Sequence, residues 1–271
     1  MTTDATHAAD GRRSRLAFAE SAGAASLAAF LARQLRWDRT AAARITAGGE
    51  VLAVFTRPAR FNVLAVLPGR LRAPVRLDVT VSAGELLEGI DEERGEIAVP
   101  GAVTGPSWAG VLPPRGGWQR LADVAHAAAR EAAAAVVAEF RQRTEGMAPE
   151  ARTRQALDGL AEEIWSRPLP GTPLPLRAVH AAHALGFLPP APPPGAGEAA
   201  VLASGPWLRL RTALGSIAVR RPATPGLPGL NVMPVRRTAG GHHREHYHHD
   251  TETGTGPGHG PDHEPGQPPR L

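Results

Sequence analysis

The chain of 271 residues has no cysteine, which removes disulfides, thiolate metal sites and cysteine nucleophiles together. It has no lysine either: all 30 basic residues are arginine, the codon habit of a GC-rich genome before it is chemistry. Aromatic residues are only 4% of the chain, with a single tyrosine, so a core must be assembled from Ala, Val and Leu around five tryptophans. No run of 18 apolar residues occurs, so no segment reads as a membrane span. Arg12 and Arg13 ahead of Leu16-Ala17-Phe18 imitate an export signal. Glu20 interrupts the apolar run, however, and Arg33, Arg36 and Asp38 follow at helical spacing, so an amphipathic helix is expected there. These absences together describe a soluble, cytoplasmic protein.

What is present suffices for a globular body, since 42% of the residues are apolar. Residues 1–238 carry 28 arginines against 21 acids, and residues 239–271 carry two against five. A basic body with a weakly acidic tail permits a polyanionic partner without requiring one, because the charges are interspersed. In the last 50 residues 18 are Pro or Gly, which predicts a disordered tail over 222–271. A disordered N-terminus is expected over 1–14.

The pattern between these flanks predicts an α+β fold in two parts. Over 15–118, Ser21 is placed to cap a helix with Leu27, Phe30, Leu31 and Leu35 on one face. Short apolar runs then follow (43–46, 51–56, 61–67, 75–81), separated by Gly48-Gly49 and Pro68-Gly69. They read as an antiparallel strand meander with 51–55 as a central strand. Ser82 and Glu85 are spaced as a capping box, and 97–99 is expected to return as a strand. Residues 100–118, with four Pro, five Gly, Trp108 and Trp118, form a loop suited to wall a pocket. Over 119–221 three helices are expected: 119–144 with Leu121, Val124, Ala128, Ala132, Ala135, Val136 and Phe140 on one face, 149–166, and 176–187. A hairpin of 207–211 with 216–220 closes this half.

Four constellations bear chemistry. In the tail, His242, His243, His246, His248 and His249 offer imidazoles on a flexible chain, suited to weak binding of Ni, Cu or Zn; no other cofactor is expected. His180 and His183, and likewise Asp123 and His126, share a helix face at i,i+3 but lack further ligands and read as ordinary helix residues. Arg115, Gly116 and Gly117 ahead of the expected long helix, with Arg120, are suited to an anion at the helix N-terminus, although the spacing is neither a Walker loop nor a dinucleotide fingerprint. Arg209, Arg211 and Arg220 on the wet face of the hairpin, after a helix, outline a winged-helix DNA binder, with Trp207 set opposite Arg220 as a cation–π pair.

The segments Arg57-Pro58-Ala59-Arg60-Phe61-Asn62-Val63-Leu64, Leu160-Ala161-Glu162-Glu163-Ile164-Trp165 and Ser204-Gly205-Pro206-Trp207-Leu208-Arg209-Leu210-Arg211 resemble conserved hypothetical proteins of GC-rich actinobacteria over about residues 15–221. That resemblance implies no activity, cofactor or catalytic residue. With no catalytic set visible, the sequence favours a non-enzymatic interaction or regulatory protein with an unidentified protein partner. A small-ligand binder or enzyme with a pocket under the 100–118 loop and the winged-helix DNA binder are the alternatives.

Overall fold

The computed structural model describes residues 14–221, so the expectations of a disordered N-terminus and a disordered tail fall essentially outside the described residues. Helix α1 (Ala22–Leu35) forms where the apolar stripe demands it, and Leu27, Phe30 and Leu31 are fully buried, each worth about 1.5–3 kcal/mol of transfer free energy. Ser21 precedes it in a helical conformation and makes no capping bond. Gln34, on the buried face, has no exposed surface. Its Nε2 donates to the Arg57 carbonyl at 3.2 Å, and its Oε1 accepts from Thr56 Oγ1 at 3.4 Å. A buried amide is tolerable only when satisfied in this way.

The expected meander of short strands is instead one bent ribbon. β2 (Ala42–Thr56) and β3 (Leu64–Ser82) pair antiparallel from Ala42↔Ser82 to Thr56↔Ala65. The glycines thought to end strands sit inside them. At Gly49, φ 65°, the register jumps from Gly49↔Val75 to Val51↔Arg70, so Glu50 alone stands opposite residues 71–74. One residue inside against four outside turns a corner, which needs the left-handed backbone that glycine adopts without strain. Both arms then line one core with α1, through Ala43, Ile45 and Ala47 on one and Leu52 and Val54 on the other. Pro68, opposite Ala53, lies beyond Val66, the last residue of β3 paired on its second edge, where a missing N–H breaks no ladder.

Helix α2 (Ala83–Glu88) begins with the expected cap, Ser82 Oγ accepting from the Glu85 N–H at 3.3 Å. β1 (Arg15–Ala17), β4 (Ile90–Asp91) and β5 (Glu96–Ala98) form a small sheet in the order β1-β5-β4. Beyond the 100–118 loop the expected long helix is divided: residues 119–124 form strand β6 (Gln119–Val124), and α3 begins only at His126 (His126–Glu145). The buried seam of α3 is Ala129 and Ala133 together with the expected Val136, whereas Ala128 and Ala135, expected on that face, are exposed and Ala132 is partly buried. Helices α4 (Arg154–Ser166), capped by Thr153 Oγ1 on the Ala156 N–H, and α5 (Leu176–Ala184) follow.

The second half is only partly helical. It supplies β6, β7 (Ala199–Ser204), β8 (Trp207–Arg211) and β9 (Ser216–Arg220) to a six-stranded sheet in the order β2-β3-β9-β8-β7-β6. β2, expected to be central, is an edge, with Val51 at the corner 64% exposed. The β8–β9 hairpin has the expected turn and register, Trp207↔Arg220 to Arg211↔Ser216. Three pairs, Leu64↔Ala218 to Val66↔Ser216, join the halves. The inner face of the sheet, with Leu208, Leu210, Ile217 and Val219, meets α1, α3 and α5 in one core. No helix among the described residues is long and apolar enough to cross a membrane.

Candidate functional site

Residues directly opposite on antiparallel strands share a face of the sheet. The register therefore places Arg120, Leu202, Arg209, Ala218 and Leu64 in one row across the outer face. Asp123, Ala200, Arg211 and Ser216 fill the row on one side, and Ser204, Trp207 and Arg220 that on the other. The arginines that the sequence assigned to two separate sites thus meet on one surface. Strands β7, β8 and β9 contain no acidic residue.

The 100–118 loop lies over part of this face. Trp108, Leu112 and Trp118 pack against Leu64, Trp207 and Ala218, so the two tryptophans of the loop pin it to the sheet. Arg209 is half-buried beneath it: its guanidinium lies 5.4 Å from the centre of the Trp118 ring, and Nε and Nη2 donate to Ser216 Oγ at 2.9 and 2.7 Å. Burial, and then the neighbouring Arg211, pull its pKa down from the usual arginine value. The cation–π partner is Trp118, not the expected Trp207–Arg220 pair, because Trp207 is turned under the loop and is only 9% exposed. Arg211 and Arg220 are exposed and make no side-chain hydrogen bond or ion pair within residues 14–221, whereas Arg120 pairs with Asp123.

Three expectations need correction. Arg115, Gly116 and Gly117 are exposed but lead into β6, so no helix N-terminus stands behind them to hold an anion. The 207–220 hairpin is not a projecting wing, because β3 and β7 occupy both of its edges. Asp123 and His126 likewise share no helix, the first lying in β6 and the second opening α3.

Under the 100–118 loop, where a pocket was expected, an open cleft of about 540 Å³ is lined by Asp38, Thr40, Arg57, Ser82, Thr104 and Trp108, among others. The sheet fixes its wall in two places. Thr80 accepts from the Val103 N–H at 2.9 Å. Arg44, bidentate to Asp78 at 2.9 and 3.0 Å, also donates from Nη1 to the Ala109 carbonyl at 2.6 Å. Gly105 lies so close that a Cβ there would stand 3.1 Å from Thr80 Cγ2. A second cleft, of about 580 Å³, includes His126, Arg130, Glu131 and His183; both ring nitrogens of His126 are buried with no hydrogen-bond partner among the described residues.

Between the helices and the β2–β3 turn runs a row of rings missed by the sequence: Trp37, Phe61, His180, Trp165 and Phe140, with successive centroids 4.9–5.5 Å apart. Trp165 Nε1 donates to His180 Nδ1 at 2.7 Å. Burial, with a smaller contribution from His183, lowers the His180 pKa to about 4. Phe61 is presented by a turn in which Arg60 and Asn62 take positive φ (73° and 52°). No glycine stands at either position, so the sequence showed a break between the runs 51–56 and 61–67 but not its left-handed backbone. Among the described residues no group of three or more His, Cys, Asp or Glu could hold a metal ion. The metal residues expected in the tail, His242, His243, His246, His248 and His249, lie outside the described residues.

The two parts of the chain match two family models. Residues 12–110 match a domain of unknown function, DUF8010, and residues 113–224 match another, DUF8185. No curated protein matches. Among solved structures, the DNA polymerase sliding clamp from Pseudomonas aeruginosa is similar at 10% identity and a TM-score of 0.42, over 82% of this chain and 68% of the clamp chain. The same clamp with a ligand is similar at 11% identity and a TM-score of 0.40, over 78% and 66%.

Proposed function

We propose that this chain is a non-enzymatic interaction protein that takes a polyanionic partner on the outer face of its six-stranded sheet. The observation that carries this reading is the gathering of Arg120, Arg209, Arg211 and Arg220 on one face of strands whose central members bear no acid. Arg209 is built into the surface by Ser216 and Trp118 and acts as a fixed charge, while Arg211 and Arg220 supply exposed guanidinium groups that are unpaired among the described residues. Planar guanidinium groups suit phosphate oxygens, which they engage through paired N–H bonds.

Titration of the full chain with a short DNA duplex and with inorganic polyphosphate, across a range of salt, tests it. Binding is expected to weaken with salt, and the Arg211→Ala, Arg220→Ala double variant to lose about tenfold or more in affinity with a shallower salt slope, because two phosphate contacts disappear. Absence of salt-dependent binding by the wild type to either probe, or a double variant that binds unchanged, overturns the reading.

A further inference from the structure

The cleft under the 100–118 loop has its own chemistry. Asp38 and Arg57 carry opposite charges and line the same cleft, yet they do not pair: no ion pair joins them within 4.0 Å. Each is braced by a neutral neighbour. Asp38 Oδ1 accepts from the Thr40 N–H at 2.9 Å and from Thr40 Oγ1 at 2.7 Å, leaving Oδ2 without a partner among the described residues. Arg57 Nη2 donates to Asn62 Oδ1 at 2.8 Å, and its other guanidinium N–H groups have no partner among the described residues. Asn62 is one of the two residues in that turn held at positive φ, a conformation that costs free energy and is kept only when its surroundings impose it. The turn is further tied down by Gln34 on the Arg57 carbonyl and by Phe61 between Trp37 and His180.

An anion and a cation that line one cleft without pairing match a ligand that carries both charges on one small frame. The remaining lining is apolar at Ala41, Ala42, Val103, Pro106 and Trp108, with the hydroxyl groups of Ser82 and Thr104 between. A volume of about 540 Å³ lies in the usual range for small-molecule sites, roughly 300–1,000 Å³.

We propose that this cleft binds a small zwitterion, a free amino acid or dipeptide with an apolar side chain. Its carboxylate meets Arg57, its ammonium group meets Asp38 Oδ2, and its side chain lies against Trp108 and Val103. The contacts that fix the wall, Arg44 to Ala109 and Val103 to Thr80, keep the site formed before the ligand arrives. The inference does not rest on polyanion binding, which uses Arg209, Arg211 and Arg220 instead.

The test is calorimetric titration of the full chain with L-leucine, L-tryptophan and L-leucyl-L-leucine, alongside 4-methylpentanoate and 3-methylbutylamine, the forms of leucine lacking the ammonium group and the carboxylate. At least one zwitterion is expected to bind, and both analogues to bind at least about tenfold more weakly, since each leaves one charged group unanswered. Asp38→Asn and Arg57→Gln should each reduce zwitterion affinity by a similar factor while the far-ultraviolet circular dichroism is unchanged. If either variant fails to fold, the analogue comparison on the wild type still decides. Failure of all three zwitterions to bind, or equal binding of an analogue lacking one charge, overturns the proposal.

Discussion

At the scale of the residue, His180 converts its position into a dependence on pH. Its Nδ1 accepts from Trp165 and its ring lies between Trp165 and Phe61, so the folded protein holds it neutral. The folded pKa is about 4, against about 6.5 for a free imidazole. Between those values the unfolded chain binds a proton that the folded chain refuses. The stabilisation is therefore complete above about pH 6.5 and is lost progressively as pH falls toward 4. With allowance for the ring's partial exposure to solvent, this amounts to about 1–2 kcal/mol. Melting temperatures from pH 7.5 to 4 should fall more steeply for the wild type than for His180→Gln, whose amide still offers Trp165 an acceptor; parallel curves would contradict the assignment.

At the scale of the element, close approach governs the β8–β9 turn. Gly215 is buried, and a Cβ there would stand 2.6 Å from two atoms of the Phe187 ring, which cannot retreat because it stacks on Phe30 at 5.7 Å. Gly215→Ala should cost about 1–3 kcal/mol in urea unfolding, whereas Gly197→Ala, with nothing within 4 Å of its Cβ, should be neutral or slightly stabilising. The hairpin was legible because its alternation and its turn are both local, and the Ser82 cap was legible for the same reason. β7 was not, since Ala199 to Leu202 are buried on both faces and a short apolar run without alternation declares no period. β6 was absorbed into a helix because Leu121 and Val124 continue the spacing of α3; Leu121 is in fact 46% exposed beside a bulge between Arg120 and Ala122. The candidate sites were legible as residues but not as a surface. Arg120 and Arg209 become neighbours only through the long-range pairing of β6, β7 and β8, and Asp38 and Arg57 only through the corner at Gly49.

At the scale of the whole molecule, the boundary between the two family matches does not separate two cores. Leu27, Ile45 and Leu67 from one part share a single cluster with Ala129, Val179 and Ile217 from the other, and the sheet crosses the boundary at β3–β9. Either part alone would expose that shared apolar surface. Fragments 1–112 and 113–271, expressed apart, should each lack a cooperative thermal transition, and mixing them should restore one. A sharp transition in either fragment alone would show that the division is also a physical one.

The two register breaks have a consequence for the molecule in a crowded solution. They fall in β2 and β6, the two edges of the six-stranded sheet, where an open row of N–H and C=O groups invites a strand from another copy. A ribbon that turns a corner at Glu50 and a strand that ejects Leu121 present no long straight ladder to a neighbour. A chain this rich in alanine and valine, with one broad sheet, is thereby protected against the edge-to-edge strand pairing that seeds fibrils.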